Sequence, residues 1–151
     1  MYQIIQTDWE SHQDELTAIR TQVFVDEQQV PLSDEWDGRD ADAVHFLLLE
    51  DDVPIGCARV LIEEDNPLGR FHIGRVSLLR PYRGQGLGHS LVQSLVEFCE
   101  SQDAGSAIFL HAQAARQKFY RILGFEALGD EFIDAGIAHI TMRRAPNQES
   151  S

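Results

Sequence analysis

The sequence predicts an α/β (α+β) fold: a mixed, largely antiparallel sheet of about six to seven strands, flanked by helices. Two observations carry this prediction. The spacing of apolar residues changes repeatedly between period two and helical spacing, and the resulting order of elements is β-α-β-β-β-α-β-α-β-β. With 151 residues, the chain is expected to form a single domain. We place that domain at residues 1–144 and a polar, flexible tail at 145–151.

The N-terminal part predicts a strand, a long helix and an acidic loop. Tyr2 to Gln6 is short and β-branched, which favours a strand. Asp8 to Gln28 carries apolar residues at helical spacing, with Ser11 or Asp14 as the predicted N-cap. Gln29 to Asp42 breaks this period and contains five acidic residues, which is typical of a long surface loop that can contain a helical turn.

A hairpin and a third strand of the predicted sheet follow. Val44 to Leu49 and Val53 to Ile62 bracket a short acidic turn and predict the hairpin. Gly56 inside the second of these strands indicates a bulge or a group that closely approaches the backbone. Phe71 to Leu79 is the next predicted strand.

The second half predicts two helices and three strands. In chain order they are a helix at Leu87 to Cys99, a strand at Ala107 to Leu110, a helix at Ala112 to Leu123, and strands at Phe125 to Leu128 and Ile137 to Met142. Gly124 directly follows the second helix, as a helix stop often does. The last two strands are predicted to be separated by a loop from Gly129 to Gly136. The strand–helix–strand unit from Phe71 to Leu110 should be parallel.

Composition excludes several classes of function. A net charge of −13 makes the chain a poor general nucleic-acid binder, because phosphates would repel it. Cys57 and Cys99 form no metal-ligand spacing, so neither a metal nor a disulfide framework is expected. The N-terminus lacks the plan of a signal peptide, and no apolar run is long enough to cross a membrane. We expect a cytoplasmic protein without membrane or nucleic-acid partners.

The most informative stretch is the glycine-rich turn within Arg80 to Ser90. Gly84, Gly86 and Gly88 alternate there, between a predicted strand and a predicted helix. Such a turn leaves several backbone amides unpaired at the positive end of a helix dipole, which makes an anion site. A P-loop would need lysine after the last glycine, where His89 stands, and the spacing of a dinucleotide fingerprint is also absent.

The turn matches a third motif, Arg/Gln-x-x-Gly-x-Gly/Ala, and with it the chain resembles the GNAT superfamily of acetyl-CoA-dependent N-acetyltransferases. Phe119 to Phe125 is similar to the second signature of that superfamily. Three further segments resemble its bacterial ElaA/YjcF-like branch: Phe24 to Pro31, Leu110 to Gln113 and Glu131 to His139. Gln113 and Arg116 depart from the usual asparagine and alanine.

The resemblance implies acetyl-CoA as cosubstrate, without a metal, and a set of contacts to it. Amides of the turn would cradle the pyrophosphate, and the end of the preceding strand would pair with the pantetheine arm. The implied cofactor-binding residues are Leu78, Leu79, Arg83, Gly84, Gln85, Gly86, Leu87, Gly88 and Gln113. Tyr120 occupies the position of the superfamily's general acid, which protonates the departing thiolate. An alternative role for Tyr120 is packing against Phe119.

The general base and the acceptor stay open at this stage. Direct transfer in a ternary complex needs a neutral primary amine, and Glu27 is the leading candidate base, ahead of His45, His72 and His111. The acidic segment Gln29 to Asp42 either attracts a cationic acceptor or is a solvated loop. The acceptor itself is a small-molecule or peptide amine of unknown identity.

Two other functions compete with catalysis. A non-catalytic module that binds acyl-CoA, as a sensor or a docking device, would keep the same phosphate turn. A nucleotide-binding or sugar-phosphate-binding protein is disfavoured by the failed glycine motifs. The exposed edges of such a sheet are candidate contacts for a homodimer.

Overall fold

A computed structural model describes residues 1–146, and the chain folds around one seven-stranded sheet. The strand order is β1-β2-β3-β4-β5-β7-β6. All neighbouring strands are antiparallel except β4 and β5, which are parallel as predicted. The strands are β1 (Tyr2–Thr7), β2 (Val44–Glu50), β3 (Val53–Ile62), β4 (Phe71–Leu78), β5 (Ile108–Gln113), β6 (Glu126–Asp134) and β7 (Ile137–Arg144). The predicted fold class and order of elements are confirmed.

Helices pack on both faces of the sheet. They are α1 (Trp9–Arg20), α2 (Leu32–Glu35), α3 (Leu87–Gln102) and α4 (Gln117–Ile122). Short 3₁₀ turns lie at Asp40–Asp42, Arg80–Tyr82 and Ala114–Arg116. No helix within residues 1–146 is both long enough and apolar enough to cross a membrane.

Alternation along the strands divides the core into two layers. On one face, Leu16 and Ile19 of α1 pack against Leu47 and Cys57. On the other face, the larger apolar cluster joins α3 to β2, β3, β4 and β5. Because successive strand residues point to opposite faces, β2 and β3 supply both layers.

The long N-terminal helix predicted from Asp8 to Gln28 is wrong in two respects. The α-helix ends at Arg20, and Thr21–Glu27 continues as a π-helical segment, a form often found at functional sites. The N-cap of α1 is Asp8, which accepts a hydrogen bond from the amide of Ser11, and not the predicted Ser11 or Asp14. The apolar period alone could not separate the two helical forms, because both bury one face.

The segment from Gln29 to Asp42 is mostly exposed, as predicted for a surface loop, but it is not wholly solvated. It contains α2 and a 3₁₀ turn, and the acidic residues Glu35 and Asp40 within it are buried. Their burial is possible because Arg20 and Arg59 reach them from α1 and β3. The cation partners are distant in sequence, so composition alone indicated exposure.

Two boundaries in the second half also differ from the prediction. The predicted helix at Ala112 to Leu123 begins only at Gln117, because β5 extends through Gln113. The predicted loop from Gly129 to Gly136 is mostly strand, since β6 continues to Asp134 across a bulge. Of the predicted tail, residues 147–151 lie outside the described part of the chain.

Candidate functional site

A cleft opens where β4 and β5 separate. These strands pair only at Phe71 with Ile108 and at His72 with Phe109. Beyond this point the facing edges diverge and border a cavity of about 630 Å³. Parallel strands that part in this way leave backbone donors and acceptors without a strand partner. The cleft therefore offers an extended ligand two edges with which it can pair.

A bulge in β4 shapes the wall of the cleft. Pairing with β3 shifts by one residue between Cys57 and Arg59, so that β4 carries one extra residue. Arg75 sits at this shift with φ of 52°, a conformation unusual for a residue with a side chain. Gly56, across the sheet, has no room for a side chain, because a Cβ atom would lie 2.9 Å from the carbonyl oxygen of Ser77. The close approach predicted at Gly56 is thus made by β4 itself.

The glycine turn lies at the open end of the cleft, between β4 and α3. Gly84 and Gly86 have φ of 81° and 82°, which other residues rarely adopt. Gly88 has a different reason: a Cβ atom there would lie 3.2 Å from the ring of Phe119.

The amides of the turn lack protein acceptors. Within residues 1–146, no backbone acceptor takes the amides of Gly84 to Gly86, and no side chain caps the start of α3. Gly84, Gly86 and Gly88 all line the cavity. The turn can therefore receive an anion through main-chain donors.

The side chain of Arg83 is bound to other protein groups, so it is not free to bind an anion. Its Nη1 and Nη2 atoms donate to Glu27 at 2.6 and 2.9 Å, and its Nε donates to the carbonyl oxygen of Leu78 at 2.8 Å. These hydrogen bonds lower the pKa of Glu27 below its usual range, so the carboxylate stays ionised. Arg80 adds a longer contact of 3.4 Å to Glu27. The arrangement ties the π-helical segment to the glycine turn.

Tyr120 of α4 lines the cavity and is almost completely buried. Its ring packs edge-on against Phe119 and Phe125, at centroid distances of 4.8 and 6.0 Å. Burial raises its pKa to about 12, although the nearby charge of Arg116 acts in the opposite direction. Tyr120 is therefore a neutral phenol at pH 7, which can donate a hydrogen bond.

Of the other predicted cofactor-binding residues, Gln113 and Leu78 line the cavity and Leu79 does not. Gln113 lines the cavity, and its amide nitrogen donates to Oε1 of Gln28 at 2.8 Å, which links β5 to the π-helical segment. Leu78 also lines the cavity, but the amide of Leu79 donates to the carbonyl oxygen of Ile55 at 2.9 Å. The amide of Leu79 is thus used within the sheet and is not available to pantetheine.

The side chains of Gln85 and Leu87 contact other parts of the protein. The Gln85 side chain accepts a weak hydrogen bond of 3.3 Å from the hydroxyl of Tyr2. Leu87 is buried in the core beneath α3. Any contact of these two residues with a ligand would therefore be made through their backbone.

The candidate histidines separate into two groups. His45 is buried away from the cavity, with its Nε2 atom 2.9 Å from the carbonyl oxygen of Asp40. His72 and His111 line the cavity, as does His139, which was not singled out from the sequence. The three rings belong to a chain of aromatic contacts that also includes Phe109 and Phe132.

Two of the acidic groups that border the cavity, Glu35 and Asp37, are paired with arginines. Asp37 contacts Arg59 and Arg75, and Arg75 also contacts Glu35. Although burial alone would raise the pKa of Asp37, hydrogen bonds from Arg59 and from the amide of Arg39 lower it well below its usual range. This part of the cavity is therefore nearly balanced in charge.

Sequence reasoning assigned no role to several residues that line the cavity. These are Phe24, Gln28, Arg75, Val76, His89 and Arg116. The positive φ of Arg75 and the separation of β4 from β5 leave no local signal in the sequence. Within residues 1–146, no group of three or more His, Cys, Asp or Glu side chains is arranged to hold a metal ion.

Comparison with protein families gives one match over most of the chain. Residues 10–145 match the model of the acetyltransferase (GNAT) domain. ElaA of Escherichia coli is 34% identical over 85% of this chain and 84% of its own length. An uncharacterized N-acetyltransferase of Bacillus subtilis, YjcF, is 30% identical over 83% of this chain and 87% of its own.

Solved structures agree with the sequence matches. The crystal structure of E. coli ElaA superposes with a TM-score of 0.85 and 31% identity, over 95% of this chain and 99% of that one. An acyl-CoA N-acyltransferase from Pseudomonas aeruginosa superposes with a TM-score of 0.82 and 32% identity, over 96% of this chain and all of the other.

Proposed function

This chain belongs to the GNAT acetyltransferase family and is an acyl-CoA-dependent N-acyltransferase, and we propose that it moves an acetyl group from acetyl-CoA directly to a primary amine. One observation carries the proposal. Unpartnered amides of a glycine turn lie at the open end of a cleft whose cavity also contains the buried phenol of Tyr120. We treat residues 1–144 as one domain that carries this activity.

Coenzyme A would be held mainly by the main chain. The amides of Gly84 to Gly88 would bind the pyrophosphate, because the turn and the start of α3 leave them unpaired. The pantetheine arm would lie between β4 and β5 and pair with their separated edges. Leu78 and Gln113 would border this arm, whereas Leu79 would not.

Tyr120 would act on the departing sulfur. A phenol with a pKa of about 12 holds its proton more firmly than a thiol, whose pKa is about 8.5. Tyr120 would therefore stabilise the developing thiolate by donating a hydrogen bond, while complete proton transfer is energetically uphill. Arg116 lies close enough to affect Tyr120 electrostatically and would favour the same negative charge.

Glu27 fits a positioning role better than the role of base that the sequence suggested. Its carboxylate is engaged by both terminal nitrogens of Arg83, and its pKa is lowered, which weakens it as a proton acceptor. Through Arg83 it would hold the phosphate turn against the π-helical segment.

The acceptor would occupy the part of the cavity that Glu35 and Asp37 border. Pairing of Glu35 and Asp37 with arginines leaves little uncompensated negative charge there. A strong preference for polycationic amines therefore has less support than the acidic sequence suggested. The acceptor remains a primary amine of undefined side chain.

Two measurements test the proposal. Calorimetry should detect binding of acetyl-CoA and coenzyme A, and a thiol-release assay should detect turnover over a panel of polyamines, amino sugars, aminoglycosides and peptide N-termini. Binding without turnover on any amine would favour a non-catalytic acyl-CoA module. Absence of acetyl-CoA binding would refute the proposal.

A further inference from the structure

His111 lies near the closed end of the cleft, on the face of the sheet opposite Tyr120. The last paired residue of β5 is Phe109, and His111 follows two residues later. Leu110 and Ala112 pack in the same core cluster as Tyr120, so strand alternation turns His111 to the other face. Both His111 and Tyr120 line the cavity. The two side chains therefore border the cleft from its two sides.

The imidazole of His111 has one nitrogen occupied and one available. Nδ1 lies 2.9 Å from Oγ1 of Thr141. When Nδ1 donates to this hydroxyl, Nε2 carries the lone pair, and no side chain or backbone group within residues 1–146 bonds Nε2. The Thr141 contact is thus compatible with the tautomer that a proton acceptor needs.

The surroundings of His111 keep the ring neutral at pH 7. Burial lowers its pKa, His139 on β7 lowers it further, and Asp134 on β6 and Glu63 before β4 act weakly in the opposite direction. His72 on β4 is the remaining titratable neighbour, at a ring-centroid distance of 5.1 Å. A neutral imidazole can accept a proton without first losing one.

Four other basic groups of the cavity are less suitable. Glu35 and Asp37 are bound to arginines. His72 is stacked on Phe109 at 4.4 Å, and burial lowers its pKa to about 4. His139 pairs with Gln113 in the strand register, two residues farther than His111 from the closed end of the cleft.

We propose that His111 is a catalytic residue that accepts the proton released by the acceptor amine; this inference rests on the acyl transfer proposed above. The amine nitrogen attacks the thioester carbonyl carbon, and a C–N bond forms as the nitrogen becomes cationic. Nε2 of His111 takes the proton from that nitrogen. The C–S bond then breaks, and coenzyme A leaves as the thiolate, which Tyr120 stabilises. His111 returns its proton to solvent and the thiolate takes one, so that amide and free thiol result.

The kinetic test compares two small amines that fit the cavity whatever the natural acceptor is. Ethylamine gives an adduct that must lose its proton to a base, whereas the adduct of the weakly basic hydroxylamine loses its proton readily to water. With acetyl-CoA, His111→Gln should lower kcat/KM for ethylamine by about 100-fold or more, and for hydroxylamine by less than about fivefold. The control variant His12→Gln, at a histidine that does not line the cavity, should change neither by more than about threefold. Equal losses for both amines in His111→Gln would overturn the assignment.

A measurement without an acceptor completes the test. In wild-type protein, saturating acetyl-CoA should shift the imidazole Cε1–H resonance of His111 and its titration midpoint, while His12, which does not line the cavity, stays unchanged. An unmoved His111 resonance in the acetyl-CoA complex would contradict a place beside the thioester. If calorimetry detects no acetyl-CoA binding, the proposed function fails and the inference fails with it. If acetyl-CoA binds and amines are acetylated with His111→Gln unimpaired, only the inference fails.

Discussion

Removal of the positive charge of Arg20 should destabilise the fold strongly. Arg20 is 1% exposed and donates to Glu35 and Asp40 from the end of α1. Its guanidinium also lies 5.6 Å from the ring centroid of Trp9 and 5.3 Å from that of Trp36. Arg20→Met keeps much of the aliphatic volume between these rings and deletes the charge, so the variant isolates the electrostatic contribution.

The expected loss follows from what remains after the substitution. Loss of one partner from a buried ion pair costs about 3–5 kcal/mol, because a charge is left uncompensated in the interior. Here Asp40 keeps Arg59 at 2.9 Å and Glu35 keeps Arg75 at 3.1 Å. We therefore expect the free energy of unfolding to fall by about 3 kcal/mol, at the lower end of that range.

Urea unfolding at pH 7 measures this loss, with Arg39→Met as the matched control. Arg39 pairs with Glu63, but its side chain is 47% exposed, so its removal should cost less than about 1 kcal/mol. The double variant Arg20→Met/Glu35→Gln should recover part of the loss, because it removes a buried carboxylate that has lost one of its two arginines. If Arg20→Met and Arg39→Met are equally stable, the buried network does not hold α2 and its flanking turns against the sheet.

Four further predictions concern the donor site and the acidic groups. Tyr120→Phe should lower kcat by about tenfold or more and leave acetyl-CoA affinity unchanged; unaltered turnover would remove the phenol from the mechanism. Glu27→Gln should raise the KM for acetyl-CoA and leave the pH dependence of kcat unmoved, whereas loss of the alkaline-rising limb would return Glu27 to the role of base. Gly88→Ala should weaken acetyl-CoA binding by calorimetry, because the added methyl group would displace the Phe119 ring. The pKa values of Asp37 and Asp40 are lowered by their arginines despite burial, so their contribution to stability is full above pH of about 4 and is lost as pH falls below it. Urea midpoints measured from pH 7 to pH 3 should fall with pH in the wild type, and Asp40→Asn should flatten that fall; parallel curves for the two proteins would contradict the assignment.

The donor half of the site could be predicted from sequence because its determinants are local. The glycines of the turn, the helix that follows and the Phe119–Tyr120 pair are each encoded within a few residues. The structure adds the reason for Gly88, which lies against Phe119. The proposed acceptor part of the cavity had no comparable signal, because its lining consists of single side chains from the segment around α2 and from β4, β5 and β7.

Sequence alone determined the family resemblance, the order of elements and the candidate anion site, since periodicity, turn chemistry and motif spacing depend on near neighbours. Only the tertiary structure decided where β4 leaves β5 and which charges meet. Glu27 and Arg83 are 56 residues apart in sequence, and their ion pair exists because the π-helical segment packs beside the glycine turn. The same long-range packing buries Glu35 and Asp40 against Arg20, so that two carboxylates of a mostly exposed acidic segment lie in the interior. Ion-pair partners are chosen by topology, and topology is not visible in local sequence.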